Sequence, residues 1–223
     1  MHFEVPRVRM HSFREFLQHY LMIVLSILTA LGLEQWIEHA HHQHAAEYAS
    51  AQIDQELRGN LDDIQTSLQT NAKKLAPLRA LNQAIGDDIR NGLSDAQINQ
   101  HIQRMKDDFI LSVNWPTFAT QAWDVAVANQ SATWIDTSRL RKYSAAYAAQ
   151  RETAAWVGHD ATLALDGPRM VALRTRIQLG KEVDPLEFLG VLQQMVNTSA
   201  EMGYHLQETA SPIKVALGQP AKQ

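Results

Sequence analysis

The densest run of side chains able to do chemistry is Glu34, Glu38, His39, His41, His42 and His44. On a helix turning about 100° per residue, Glu34, Glu38, His41 and His42 fall on one face. Imidazole nitrogens and carboxylate oxygens are competent ligands for zinc, nickel or copper. Glu38 and His41 also form a Glu-x-x-His step, the spacing that dinuclear carboxylate bundles place on two of their helices. Such a centre needs a second step of the same kind and two further Glu residues, and Glu201 to His205 has the wrong interval. A divalent metal at Glu34, Glu38, His41 and His42 is therefore the one cofactor the sequence offers, and one helix would hold it only at its surface. Two other readings stay open: a solvated polar collar beside a membrane, and a set of imidazoles that titrates between about pH 5 and 7.

Other groupings are weaker. His159 and Asp160 are adjacent, so their side chains diverge on a helix and make a poor dyad. Arg169, Arg174, Arg176 and Lys181 form a small basic patch, either an anion site or a solvated face. Trp115, Trp123, Trp134, Tyr143, Tyr147 and Trp156 gather in the second half, where they either line a pocket or fill a core. No Gly-rich phosphate loop, His-Glu-x-x-His or Gly-x-Ser-x-Gly occurs, so no catalytic residue is assigned. The absence of cysteine excludes disulfides, thiolate metal sites and a Cys nucleophile. A net charge of −4 without a basic cluster speaks against nucleic acid as a partner.

The element that must carry the His and Glu set begins in an apolar run. Phe16 to Leu33 contains no Asp, Glu, Lys or Arg, and at 1.5 Å per residue it rises about 27 Å, the short end of what crosses a bilayer. Tyr20 and Trp36 bracket it as interfacial aromatics do. Arg7, Arg9 and Arg14 precede it, whereas Glu34, Glu38, Glu47, Asp54 and Glu56 all come before the next basic residue, Arg58. The positive-inside rule then puts the N-terminus in the cytoplasm and the rest outside. A cleaved signal peptide ending near Ala30-Leu31-Gly32 and a buried core helix are the alternatives.

Beyond the membrane run, Leu57, Leu61, Ile64, Leu68, Asn71, Leu75 and Leu78 recur at alternating steps of four and three, a heptad seam that continues through Asn82, Ile85 and Ile89. The seam fits either a stripe inside a monomeric bundle or a parallel dimer stalk with Asn71 setting register. Pro77 should kink this helix or start a new one. Asn91-Gly92 reads as a helix stop, and Ser94 with Gln97 as a capping box. Pro116 suits the first turn of a helix with Phe118, Ala122, Val125 and Ala126 on one face. Asp136-Thr137 caps a long helix through Leu140, Tyr143, Tyr147, Ala154, Ala161 and Leu165, ended by Asp166-Gly167-Pro168. A short helix reaches Gly180, Asp184-Pro185 opens the last long one, and Ser211-Pro212 begins a loose tail.

The run from Phe16 to Leu31, followed by Glu34-Gln35-Trp36-Ile37-Glu38, resembles a group of uncharacterised proteobacterial single-pass inner-membrane proteins. The pairing of Ala122-Trp123-Asp124 with Tyr147-Ala148-Ala149-Gln150-Arg151 is similar to their Trp–Tyr helical pair. The resemblance implies an inner-membrane location with a periplasmic helical domain, and carries no activity with it.

The expected fold is all-α: a cytoplasmic segment over 1–15, a transmembrane helix over 16–37 continuing into a long stalk, an antiparallel bundle over 38–210 and a tail over 211–223. The expected partners are the lipid bilayer and either another protein or a second copy of the chain. A structural or interaction subunit fits best. A ligand-sensing module would need a closed aromatic pocket, and a metal protein would need a second helix or subunit near His41.

Overall fold

The computed structural model describes residues 13–109, 112–158 and 167–220. Among them the regular elements are all helical: α1 (Phe13–Arg90), α2 (Asp95–Arg104), α3 (Gln121–Ala128), α4 (Thr137–Trp156), α5 (Gly167–Gln178) and α6 (Pro185–Ala216), with single 3-10 turns at Lys106–Asp108 and Ser131–Trp134. Arg7, Arg9, His159, Asp160, Ala161, Leu165 and Asp166 lie outside the described residues.

α1 continues without a break through Pro77, so the proline does not start a new helix. Ala46 is its first buried residue. From there Ile53, Leu57, Leu61, Ile64, Leu78, Leu81 and Ile85 turn inward. The seam is thus spent inside the chain, against α6 and α4, and the parallel dimer stalk built on it is overturned. Asn71, which the dimer alternative would have setting register, has an intrachain task described below.

The chain crosses the bundle four times, alternating in direction. α1 runs away from the apolar end. Residues 112–128 come back as extended chain followed by α3. α4 runs outward again, because Arg139 meets Asp54, Tyr147 meets Glu56 and Gln150 meets Asn60. α6 returns, with Gln193 level with Asn82 and Thr209 against Thr153 of α4. Two cores are strung along this frame. The near one joins Ile53, Leu57, Tyr143, Tyr147 and Leu206. The far one joins Ile85, Ile98, Leu173, Phe188 and Leu192, with α2 and α5 as its extra walls.

Local chemistry explains most boundaries. Gly92 takes φ +73° and the Leu93 N–H reaches back to the Asp88 carbonyl at 3.1 Å, the left-handed stop that a Cβ would oppose. The Gln97 side chain accepts from the Ser94 N–H at 3.0 Å. Asp136 accepts from the Ser138 and Arg139 amides, and Asp184 from the Glu187 amide with Pro185 in the first turn.

Two expectations fail. Helix α6 runs through Pro212 to Ala216, with Ile213 fully buried, so residues 211–216 are packed helix and not a loose tail. Residues 112–120 are not helical, and α3 starts only at Gln121. The reason lies on α1. Asn71 donates to the Asn114 carbonyl at 2.7 Å and accepts from its N–H at 2.8 Å. Asn60 does the same to Ala119, at 2.8 and 3.0 Å. Asn60 to Asn71 is ~16.5 Å of helix, and Asn114 to Ala119 is ~16.5 Å of extended chain. The two asparagines therefore act as a two-point ladder that pays the extended backbone its hydrogen bonds. Pro116, lying between them, withholds a donor that no helix or sheet there requires. Asn99 repeats the device on α2, bracketing Val183 in the loop before α6 at 3.0 and 2.9 Å.

Candidate functional site

The structure pairs Glu38 with His42, Oε1 to Nε2 at 3.6 Å, and leaves Glu34 and His41 exposed beside them. Among the described residues no group of three or more His, Asp or Glu side chains is placed to share one ion. His42 is not solvated on all sides, as a plain collar would have it. Its ring stacks on Trp134 with centroids 3.6 Å apart and planes 12° from parallel. Sequence reading missed this contact because Trp134 sits in an irregular turn far along the chain.

The aromatic set does not enclose a pocket. Tyr143 and Tyr147 are fully buried, Trp123 stacks on Tyr147 at 5.1 Å and Trp156 lies 4.5 Å from the His205 ring. They fill the near core, so the closed aromatic pocket expected of a sensor is replaced by packing. In the basic patch, Arg169 is engaged by Glu187 at 3.2 Å.

The concave feature is elsewhere. A groove of about 720 Å³ opens between α1 and the returning segment with α3. On the α1 side it is lined by Tyr48, Gln52, Gln55, Gly59 and Asp62, all exposed and again at alternating steps of four and three. They lie on one helix face, rotated from the buried seam and spanning ~21 Å. The facing wall mixes small apolar Ala119, Ala122, Val125 and Ala126 with polar Thr117, Gln121, Asn129 and Ser131. At Gly59 a Cβ would meet no atom within 4 Å. Glu56, Asp62 and Asp63 give the lining its charge, and among the described residues no Lys, Arg or His joins them.

Behind the groove lies a hydrogen-bonded network. Glu56 accepts from the Ala122 N–H at 2.9 Å with Oε2 and from the Tyr147 hydroxyl at 2.5 Å with Oε1. Each oxygen thus helps to hold α3 or α4 in place beside α1. One turn away, the Tyr143 hydroxyl donates to Asp54 at 2.6 Å and accepts from Arg139 Nε at 2.6 Å, while Arg139 Nη2 reaches the same carboxylate at 2.8 Å.

These phenols carry a pH prediction. Burial, with the Asp54 hydrogen bond and charge behind it, pushes Tyr143 up from 10 to about 12. Burial and Glu56 push Tyr147 up as well. The fold therefore prefers the neutral phenols. Below pH ~10 both folded and unfolded chains keep these protons, and the contribution to stability is whole. As pH rises from about 10 through 12 the unfolded chain gives up its protons first and that contribution is lost. The urea midpoint should fall between about pH 10 and 12, and fall less in the Tyr143→Phe, Tyr147→Phe double variant. Equal falls in the two proteins would remove these tyrosines as the cause.

Comparison with known proteins gives no matching family model, no matching curated sequence and no matching solved structure. What the fold and site define is a class: an all-α bundle on a helix long and apolar enough to cross a membrane, with no part of its most apolar window buried in the protein.

Proposed function

We propose that the chain is a single-pass membrane subunit whose helical bundle binds a protein partner in the groove between α1 and α3. The observation that carries this reading is the exposed stripe Tyr48, Gln52, Gln55, Gly59 and Asp62. Its four-and-three spacing sets these side chains on one face of α1, the notch at Gly59 admits a close approach, and no described helix of this chain covers it. The unburied stretch before Ala46 supports the membrane half of the reading, since a core helix would be covered. Residues 16–37 then cross the bilayer. The excess of Arg before that span and of Glu after it supports a cytoplasmic N-terminus and an outward-facing bundle. The resemblance to proteobacterial inner-membrane proteins supports a periplasmic location for that bundle.

A photo-crosslinking residue placed at Gln55, compared with one at exposed Val171 on α5, tests the groove in native membranes. One discrete adduct from Gln55, absent from Val171 and lost when Gly59→Trp fills the notch, is expected. No adduct, or the same adducts from both positions, would reject the groove as the docking site.

A further inference from the structure

Two copies anchored by residues 16–37 would stand in one bilayer with the same orientation, so each element of one meets its neighbour at its own height. Hydrogen bonds between α4 and α1 fix those heights. Tyr147 of α4 reaches Glu56 and Gln150 accepts from Asn60, so Arg151 is level with about Leu61 of α1. Outward, α4 presents Arg141, Ser144, Ala148, Arg151 and Ala155, all exposed. They recur at alternating steps of three and four, hence on one helix face. The stripe is ~21 Å long, matching the groove face from Tyr48 to Asp62. Arg141 and Arg151 have no ion-pair partner among the described residues, and Glu152 points ~100° away from Arg151.

The groove has the converse pattern. Asp62 and Asp63 are exposed at its end farther from the span, and among the described residues no Lys, Arg or His joins the lining. Arg58, one turn below Asp62, turns to Asp54 instead, at 4.0 Å. In a neighbouring copy Arg151 would stand within ~3 Å in height of Asp62. Ala148 would come level with the notch at Gly59. Arg141 would fall between Tyr48 and Gln52, where the exposed Tyr48 ring can receive it.

We infer that the partner in the groove is a second copy of this chain, which seats the outer face of its α4 there, parallel to α1. Small side chains meet the notch and an arginine meets the two aspartates, so shape and charge match at one height. The contact uses exposed faces only and leaves the buried α1 seam untouched. This identity of the partner rests on the groove as docking site and on residues 16–37 as the span.

The full-length protein with a photo-crosslinking residue at Gln55 is irradiated in native membranes and, purified, in phosphatidylcholine vesicles without other protein. An adduct at twice the mass of the chain is expected in both. Asp62→Arg with Asp63→Arg should lower its yield about fivefold or more, and so should Arg151→Asp alone. All three changes in one chain should restore it to within about twofold, since the exchanged charges attract again. The three positions are exposed, and circular dichroism checks that the helices remain. An unrestored combined variant, or a yield that neither separate change lowers, would overturn the inference. A groove adduct of another mass, with none at twice the mass of the chain, would make the occupant a different protein and leave the groove reading standing. No adduct from Gln55 in either setting would overturn both.

Discussion

Replacing Leu25 and Leu28 together with arginine is expected to release the protein from membranes. Each arginine at the centre of a span costs roughly 2.5–3.5 kcal/mol on insertion scales, and the short uncharged stretch from Phe16 to Leu33 has little to set against two of them. Both side chains are exposed in the structure, and no described residue of α1 before Ala46 is buried. The substitutions therefore remove no packing from the bundle, whose helicity and urea midpoint should stay unchanged. The measurement is carbonate-resistant pelleting of the full chain, with circular dichroism of the released material. Retention of the double variant in the pellet would mean that residues 16–37 do not cross the bilayer.

Asn60→Ala is expected to be the most damaging single change within the bundle. It orphans the N–H and the carbonyl of Ala119 together with Gln150 Oε1, in a place where Asn60 is 2% exposed. Gln150 Nε2 is already buried without a partner, so the region has no slack for another unmet group. An unsatisfied buried group costs about 1–3 kcal/mol, which puts the loss at roughly 3–5 kcal/mol, a large share of an ordinary domain's stability. Asn71→Ala should cost about 1–2 kcal/mol, because Asn71 is half-buried where Asn60 is buried, it makes no bond like that of Asn60 to buried Gln150, and water replaces some of what is lost. Urea titration ranks the two, and amide exchange at Ala119 should speed up in the first variant only. A loss below about 1 kcal/mol at Asn60 would show that the returning segment is held by its apolar contacts alone.

These asparagines also mark where reading the sequence succeeded and where it failed. The α1 seam was legible because its period is carried by Leu and Ile on one helix, and periodicity needs no knowledge of the partner. The caps at Gly92, Asp136 and Asp184 were legible for a similar reason: each is settled by residues a few positions away. Residues 112–120 were not legible. Their conformation is decided by Asn60 and Asn71, more than 40 residues distant in sequence for each pair, while the local signal at Pro116 favoured a helix start. The role of Asn71 stayed open for the same reason, since a polar residue in a heptad seam fits a dimer register as well as an intrachain bracket. At the tail, Pro212 suggested an end, but burial of Ile213 outweighs the one backbone hydrogen bond that proline forfeits. The groove is not legible in the sequence because Tyr48, Gln52, Gln55, Gly59 and Asp62 share spacing without sharing polarity, and its second wall comes from residues more than 50 positions away.

The unbroken course of α1 has a mechanical consequence. From Ile37 to Arg90 it forms ~80 Å of continuous helix, braced along most of that length by α4 and α6. Membrane helices commonly lean by about 20° from the bilayer normal. On an arm of this length such a lean carries the far core sideways by roughly 27 Å, whereas the groove, about halfway along the arm or lower, moves less than half as far. With residues 16–37 in the bilayer, as proposed, a small change of inclination is amplified into a large displacement at α2 and α5, as at the end of a lever.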